Sequence, residues 1–286
     1  MTQIENELLL RFIAAALAED VGDGDHTSIA TIPAGSAGQA QLIIKEAGIL
    51  AGLEEALAVF RYVDETLVVS TFSTDGDAVA VGDVVLTVTG SIHSILIAER
   101  LVLNMMQRMS GIATATHRIV AAIAGTGTKV LDTRKTTPLL RFLEKKAVKT
   151  GGGVNHRFGL HDMMLIKDNH VDYAGGIKEA ITRAREYQGK MKRPIAIEVE
   201  VRDMEEVQEV LAVGGVDRIM LDNFTPGEVR KAVALIDGRL VTEVSGGITA
   251  DNIGDYAAAG VDFISIGALT HSVKGLDMSL KAKVVD

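Results

Sequence analysis

The chain has 286 residues, of which 47% are hydrophobic and 23% are charged, so it can bury a large core. Cysteine is absent, which excludes disulfides, thiolate metal sites, iron–sulfur clusters and thiol nucleophiles. The net charge of −9 argues against a general nucleic-acid surface, and no uncharged apolar run approaches the roughly 20 residues of a membrane span. We therefore expect a cytoplasmic protein with neither nucleic-acid nor membrane partners.

Residues 1–110 predict an N-terminal domain in which helices and strands alternate irregularly. In chain order the patterns first indicate a helix over ENELLLRFIAAALAED, a break at EDVGDGDHTS and a strand in AQLIIKEAGILAG. A helix over LEEALAVFRYV and a strand at LVVSTF follow. The last patterns indicate a hairpin or bulged pair in VAVGDVVLTVTG and a helix over SIHSILIAERLVLNMMQRMSG. The last helix is expected to end near Ser110. This mixture indicates α+β character.

From Gly111 onward, regular alternation of apolar runs and helical patterns predicts a parallel sheet covered by helices. The apolar runs lie at 129–133, 163–168, 195–201, 216–222, 239–247 and 261–268. A doubly wound open sheet is the competing fold, but the glycine-rich fingerprint that usually follows its first strand is missing. Because six strands are few for a complete barrel, we predict an open, incomplete α/β barrel over 111–273. Residues 274–286 are expected to form a tail that packs back on the N-terminal domain.

The carboxyl ends of these runs carry the residues that we expect to do chemistry. The middle of a buried parallel strand is almost continuously apolar, whereas its carboxyl end opens onto loops at one edge of the sheet. In chain order these ends carry Asp132, Arg134, Lys135, Lys167, Glu200, Asp222, Ser245, Gly246, Gly247 and Gly267. The sequence therefore predicts a ring of functional groups around one mouth.

Positive charge is concentrated between residues 134 and 167, where eight Lys or Arg face only two acids. A solvated basic face is the simpler interpretation of such a run. However, Arg134 and Lys135 precede a predicted helix start with Thr137 as N-cap and Pro138 in the first turn, a place that already favours anions. The following GGGVNHR either ends a helix or brings backbone, His156 and Arg157 close to an anionic ligand.

Two carboxylates are expected to face the same mouth. Glu198 and Glu200 lie on one side of a strand, and Glu200 with Asp222 could hold Mg²⁺, sugar hydroxyls or a developing positive charge. Salt bridges to Lys135 or Lys167 are the alternative. The Gly246–Gly247 and Gly267 loops are typical of a phosphate cradle. His156 and His170 could instead bind zinc, but no recognised zinc spacing is present.

Several motifs in this order resemble those of the quinolinate phosphoribosyltransferase family, over about residues 15 to 275: EDVGDGDHT, AERLVLNMMQRMSGIAT, DTRKTTP, GGGVNHR, LIKDNH, EVEV, IMLDN and SGGI. The resemblance implies transfer of phosphoribose from phosphoribosyl pyrophosphate to the ring nitrogen of quinolinate. Pyrophosphate and CO₂ leave, and nicotinate mononucleotide is formed for de novo NAD biosynthesis. It also implies Mg²⁺ without an organic cofactor, an N-terminal α/β sandwich with an open α/β barrel, and a homodimer, or a higher oligomer, with shared active sites.

Residue roles follow from the same resemblance. Arg134, His156, Arg157 and Lys167 resemble the groups that bind the quinolinate carboxylates, and Arg100 resembles an arginine contributed across the dimer. Lys135 is expected at the pyrophosphate or the reacting carboxylate, Glu200 and Asp222 near the ribose and metal, and Ser245, Gly246, Gly247 and Gly267 at the 5-phosphate. The implied catalytic residues are Lys135, Lys167, Glu200 and Asp222.

Two positions depart from the family pattern or carry no role. Leu139 stands where the family commonly has glycine after TTP, and we expect it in the first helical turn with altered packing and no lost chemistry. His161 is given no role.

Two classes of alternative function remain open. One is a sibling phosphoribosyltransferase, either nicotinate-type or molybdenum-associated, for which a substrate with one carboxylate would need fewer cations than this chain offers. The other is a non-catalytic protein that binds an anionic ligand, or a carrier-like module built on VAVGDVVLTVTG. The absence of a lysine at that turn argues against a carrier.

Overall fold

The computed structural model describes residues 3–283, which form two compact units. The first contains the chain up to residue 117, residues 137–152 and the chain from 272 onward; the second contains 118–136 and 153–271. These boundaries differ from the predicted ones at 110 and 273. The difference arises because a long helix runs through residue 110 and because 137–152 packs within the first unit. Among the described residues, no helix is long and apolar enough to cross a membrane.

The helices are α1 (Gln3–Val21), α2 (His26–Thr31), α3 (Leu53–Val63), α4 (Ile92–Ala122), α5 (Arg141–Thr150), α6 (Asp168–Ala174), α7 (Ile177–Gln188), α8 (Met204–Val213), α9 (Pro226–Ile236), α10 (Ile253–Ala257) and α11 (Ala268–His271). The strands are β1 (Ala37–Ile44), β2 (Gly48–Ile49), β3 (Val68–Thr71), β4 (Ala78–Val79), β5 (Val84–Ser91), β6 (Lys129–Leu131), β7 (Met163–Ile166), β8 (Ala196–Val201), β9 (Arg218–Asp222), β10 (Val241–Ser245), β11 (Phe263–Ser265) and β12 (Met278–Lys283).

The first unit is built on an antiparallel sheet in the order β12-β1-β5-β3. The strand β12, in the predicted C-terminal tail, pairs with β1 along six residues, and its Met278 and Leu280 are buried. The predicted hairpin in VAVGDVVLTVTG is wrong. β4 pairs with β2, whereas β5 pairs with β1 and β3, because main-chain bonds from Ile44 to Asp83 and from Leu50 to Asp77 draw the intervening segment to the β1–β2 region.

Two helices differ from the sequence prediction. The glycine-rich break contains α2, which the Asp25 side chain caps by accepting the Ser28 N–H at 3.0 Å. The helix α4 does not end near Ser110 but continues to Ala122. Gly111 is required there by packing and not by helix termination, because a Cβ atom would meet the Lys274 carbonyl oxygen at 2.2 Å.

The Thr137-Pro138 segment does not begin a helix as predicted. The helix α5 starts at Arg141 with Leu140 as its N-cap, and the Leu140 N–H donates to the Thr137 carbonyl across a tight turn. Leu139 in this turn has φ 66°, which is incompatible with a helical turn. The Glu144 side chain instead satisfies the Thr137 N–H and pairs with Arg108 at 2.9 Å.

The second unit is a six-stranded parallel sheet in the order β6-β11-β10-β9-β8-β7. All six predicted runs are strands, and helices follow them as expected for βα units. In the described structure β6 and β7 form the two edges and do not pair with each other. The predicted combination of an α/β N-terminal domain with an open α/β barrel is confirmed.

Candidate active site

A cavity of about 780 Å³ lies at the carboxyl ends of the parallel strands, within the second unit. Most of the residues predicted from the sequence for the site line it: Arg134, Lys135, His156, Arg157, Lys167, Glu200, Asp222, Ser245, Gly246, Gly247 and Gly267. Arg100, Asp132 and Glu198 do not, and the last two are fully buried. Other polar residues of the lining were not predicted: Thr133, Asn223, Glu243, Thr249, Ser265 and His271. The polar ring at the strand ends is therefore real and larger than the sequence indicated.

The loop after β6 presents two exposed cations to this cavity. Its main chain is fixed at Lys135, whose N–H donates to Thr133 Oγ1 at 3.0 Å and whose carbonyl accepts from Thr270 Oγ1 at 2.8 Å. Arg134 and Lys135 can therefore keep their positions although their side chains are exposed. This arrangement suits recognition of an anion that enters from solvent.

Arg157 adds a half-buried guanidinium to the same cavity. Its Nη1 donates to the Met163 carbonyl at 3.0 Å, which orients the side chain. Burial and, secondarily, the positive charge of Arg134 lower the pKa of Arg157 below its ordinary value. A bound anion between the two guanidinium groups would relieve this repulsion, so the pair is prepared for a carboxylate or phosphate.

Lys167 and Glu200 form an ion pair at 2.6 Å between Nζ and Oε2. Glu200 is buried, whereas the Lys167 side chain is 45% exposed. The salt bridge considered from the sequence as an alternative is thus present. Because both side chains also line the cavity, either can be reached by a ligand.

Asp222, at the end of β9, is held by two neighbours. Ser245 Oγ donates to Oδ1 and Asn223 Nδ2 donates to Oδ2, both at 2.6 Å. Asn223 has φ 59°, and its N–H donates to the Ser245 carbonyl at 2.8 Å. Sequence reasoning missed Asn223, although the motif IMLDN contains it, because only strand-end charges and glycines were considered.

The glycine loops pass close to these groups. At Gly246, which has φ 94°, a Cβ atom would lie 2.2 Å from Asn223 Oδ1. At Gly267 a Cβ atom would lie 3.0 Å from the Lys135 side chain and 3.1 Å from His271 Nε2. Gly246 therefore needs to be glycine, whereas at Gly267 a small shift of the Lys135 and His271 side chains would admit a Cβ atom.

His156 lines the cavity but directs both ring nitrogens at protein groups. Nδ1 accepts the Arg157 N–H at 2.7 Å, and Nε2 lies 3.1 Å from Glu198 Oε2 and 3.5 Å from Glu243 Oε2. Burial is the main cause that raises the pKa of Glu198 and of Glu243 to about 7. The role of His156 as a donor to a substrate carboxylate stays a prediction.

The remaining sequence assignments lie elsewhere. Arg100 is exposed on α4 in the first unit and is absent from the cavity lining. His170 caps α6, where its Nδ1 accepts the Lys167 N–H at 3.0 Å. His161 stacks edge-on against Phe158 with ring centroids 6.5 Å apart, and nothing in the structure gives it a chemical role.

Comparison with known proteins places these features in a family. The family model described as quinolinate phosphoribosyl transferase, N-terminal domain, matches residues 25–110, and the corresponding C-terminal domain model matches residues 112–281. The chloroplastic nicotinate-nucleotide pyrophosphorylase [carboxylating] of Arabidopsis thaliana is 47% identical over 284 residues, covering 94% of this chain and 81% of the relative. Quinolinate phosphoribosyltransferase [decarboxylating] 1b of Nicotiana tabacum is 46% identical with the same coverage.

Solved structures agree with the sequence relatives. The crystal structure of NadC from Streptococcus pyogenes superposes with a TM-score of 0.93 at 40% identity, covering 100% of this chain and 99% of that one. The nicotinate-nucleotide pyrophosphorylase from Francisella tularensis gives a TM-score of 0.89 at 37% identity, with 97% of both chains covered. The chain belongs to the quinolinate phosphoribosyltransferase family.

Proposed function

We propose that the protein transfers phosphoribose from phosphoribosyl pyrophosphate to quinolinate, with loss of CO₂ and pyrophosphate, and so makes nicotinate mononucleotide for NAD biosynthesis. The observation that carries the proposal is the single cavity in which Arg134, Lys135, Arg157 and Lys167 meet the carboxylates of Glu200 and Asp222. Family membership and the names of the relatives support the same reaction.

Quinolinate is a dianion, and the cations of the cavity suit it. The guanidinium groups of Arg134 and Arg157 each offer bidentate hydrogen bonds to a carboxylate, and Lys167 offers a third charge. A substrate with one carboxylate would leave part of this positive field unbalanced. The quinolinate reaction is therefore favoured over that of a nicotinate-type sibling.

Ribosyl transfer needs a negative surface near the sugar and a positive one near the leaving group. As the bond from the sugar carbon to pyrophosphate breaks, positive charge develops on the ribose, which Glu200 and Asp222 are placed to stabilise. Lys135 is the proposed partner of the departing pyrophosphate. Ser245, Gly246, Gly247 and Gly267 are the proposed 5-phosphate cradle, because their loops bring backbone close to the cavity.

The residues of the cavity fit a Mg²⁺ ion carried with the diphosphate substrate. Glu200 and Asp222 lie on the neighbouring strands β8 and β9, and Mg²⁺ typically takes one or two carboxylates together with substrate phosphates. When bound, the ion would neutralise charge on the pyrophosphate. The proposed reaction needs no organic cofactor.

Decarboxylation follows naturally from transfer to the ring nitrogen. Once that nitrogen is quaternised, the adjacent carbon–carboxylate bond can break with its electron pair kept on the ring carbon, beside the positive nitrogen. CO₂ leaves, and a proton takes its place on the carbon. Lys135 and Lys167 are the proposed catalytic lysines near this carbon, so the chain need supply only orientation and charge.

The direct test is release of CO₂ from quinolinate labelled at the carboxylate next to the ring nitrogen. With Mg²⁺ present, we expect labelled CO₂ only when phosphoribosyl pyrophosphate is added. Turnover of nicotinate without CO₂ release from quinolinate would favour the sibling activity, and binding of both anions without turnover would favour the non-catalytic alternative. A cytoplasmic location stays a prediction, because the Arabidopsis thaliana relative is chloroplastic by name.

A further inference from the structure

A buried cluster of polar side chains, two of which belong to the wall of the cavity, has no part in the reaction steps described above. It consists of His156, Glu198 on β8 and Glu243 on β10, and both carboxylates are 0% exposed. His156 Nε2 lies 3.1 Å from Glu198 Oε2 and 3.5 Å from Glu243 Oε2. Neither oxygen of Glu198 accepts a hydrogen bond within the described part of the chain. Burying such groups is costly, so their retention requires an explanation.

A metal ion is the first explanation to consider. One ligand atom from each of the three residues lies within 4.8 Å of the others, as a divalent metal site would require. The histidine argues against it. Because Nδ1 accepts the Arg157 N–H at 2.7 Å, Nδ1 carries no hydrogen, and the neutral ring must carry its proton on Nε2. A protonated Nε2 cannot bind a metal, whereas it is the form that two carboxylates attract.

The ring is held at Nδ1 by a hydrogen bond, and its Nε2 lies within ion-pair distance of both acids. The chain around it is held as well. The His156 N–H donates to the buried Asp132 at 2.9 Å, and the next N–H, that of Arg157, donates to the ring. Arg157 Nη1 is in turn held by the Met163 carbonyl at 3.0 Å. The position of the imidazole thus helps to fix the Arg157 main chain at its N–H, and with it the direction in which the guanidinium enters the cavity.

Charged groups on the surrounding elements make the cluster electrostatically tolerable. Arg218 on β9 places its Nη1 2.9 Å from Glu243 Oε2. Its guanidinium carbon lies 4.6 Å from the centroid of the Phe263 ring. Arg218, and to a smaller extent Arg157 and Lys167, favour the charged form of Glu198, and Ser265 donates to Glu243. Three positive charges and the imidazole N–H thus surround the two acids.

We infer that Glu198 and Glu243 are positioning residues, which hold the His156 imidazole in its Nε2–H form and so fix Arg157 for a substrate carboxylate. This inference rests on the proposed function only in naming quinolinate as the carboxylate. Both acids are fully buried, although Glu243 belongs to the wall of the cavity, and they act through His156. Glu198 is distinct from Glu200, which lies two residues further along the same face of β8 and lines the cavity.

The test compares Glu198→Gln and Glu243→Gln with Glu186→Gln, a control that removes an exposed carboxylate on α7. Loss of an orienting partner typically costs about 10- to 100-fold, so we expect KM for quinolinate to rise about tenfold in the two cluster variants. The KM for phosphoribosyl pyrophosphate and the control should change less than about twofold. Equal rises for both substrates would mean general loosening of the fold and would overturn the inference.

A second readout does not depend on activity. Nitrogen-15 spectra of the histidine-labelled protein, assigned by comparison with His156→Gln, should show His156 as the Nε2–H tautomer. An Nδ1–H tautomer, or one equivalent of a transition metal in the purified protein that is lost in Glu198→Gln, would overturn the inference. Should Glu198→Gln fail to fold, the KM for quinolinate of Glu243→Gln and the wild-type spectrum still test the inference. If the wild type shows the Nε2–H form but no turnover of quinolinate, only the proposed function fails.

Discussion

Leu139 is the residue at which sequence and backbone disagree most clearly. It is 87% exposed and has φ 66°, within the turn from Thr137 to Leu140. A proline followed by a residue with positive φ is the pattern of a type II turn, which favours glycine at the second of its two central residues. The glycine that the family resemblance leads one to expect here would therefore serve the turn, and not helix packing as the sequence suggested.

We expect Leu139→Gly to stabilise the protein. The substitution removes backbone strain of about 1–2 kcal/mol, from which the greater freedom of glycine in the unfolded chain subtracts about 0.5–1 kcal/mol. A net gain of about 0.5–1 kcal/mol should appear in urea denaturation. Leu139→Ala is the matched control, because it removes the exposed side chain but keeps the strain. If alanine stabilises as much as glycine, the explanation from backbone strain is wrong.

Glu243 is a buried residue of the cavity wall that the sequence did not reveal. Glu243 lies inside the run RLVTEVSGG, whereas the sequence prediction drew this site's groups from the carboxyl end of the run. A glutamate in the middle of a buried parallel strand is itself a signal, since it needs partners that only the fold can supply. No sequence pattern could have shown that His156 and Arg218 are those partners.

At the scale of elements, the parallel strands were predictable and the small N-terminal ones were not. The strands of the second unit consist mainly of buried apolar residues, although β8 and β10 also bury glutamates. Charge or glycine bounds these runs, so their positions can be read locally. By contrast, β2 and β4 have two residues each, and their pairing is decided by contacts distant in sequence. The helix α4 is a similar case, because Gly111 does not end it but lies against residue 274, which is distant in sequence.

The loop after β10 gives a prediction for a pair of adjacent glycines. In Gly246→Ala the new methyl group collides with Asn223 and disturbs its bond to Asp222, so we expect the affinity for phosphoribosyl pyrophosphate to fall at least about tenfold. In Gly247→Ala nothing lies within 4 Å of the new atom, and only the strain of φ 60° is added. Titration calorimetry of the two variants measures the difference. Equal losses would show that the Asn223 contact does not matter.

At the scale of the whole molecule, Arg100 is the residue that the single chain leaves unused. It is exposed in the first unit, and the family resemblance assigns it to the active site of the other subunit of a homodimer. The polar ring of the barrel could be predicted because it is encoded at strand ends. An intersubunit contribution has no local pattern in one chain and rests on resemblance alone.

Mixing of two inactive variants tests this assignment. Arg100→Ala and Lys135→Ala proteins should each be inactive, yet a mixed dimer would contain one site with both residues intact. Random exchange of subunits should then restore about a quarter of the wild-type activity, measured as CO₂ release. A mixture of Lys135→Ala with Glu200→Ala is the control, because both changes lie in the same barrel and its mixed dimers should regain nothing. Failure of the first mixture to recover, with subunit exchange verified by mass, would contradict the shared site.

The pairing of β12 with β1 has a consequence for how the chain folds as it is made. Gln39 pairs with Lys283, so the first sheet contains a strand that leaves the ribosome after the whole parallel sheet. Until then the buried edge of β1 has no partner, and an exposed apolar edge invites pairing with other chains. The N-terminal sheet therefore cannot be completed until the last strand of the chain has been made. We expect it to be the last part of the protein to become resistant to proteolysis during translation.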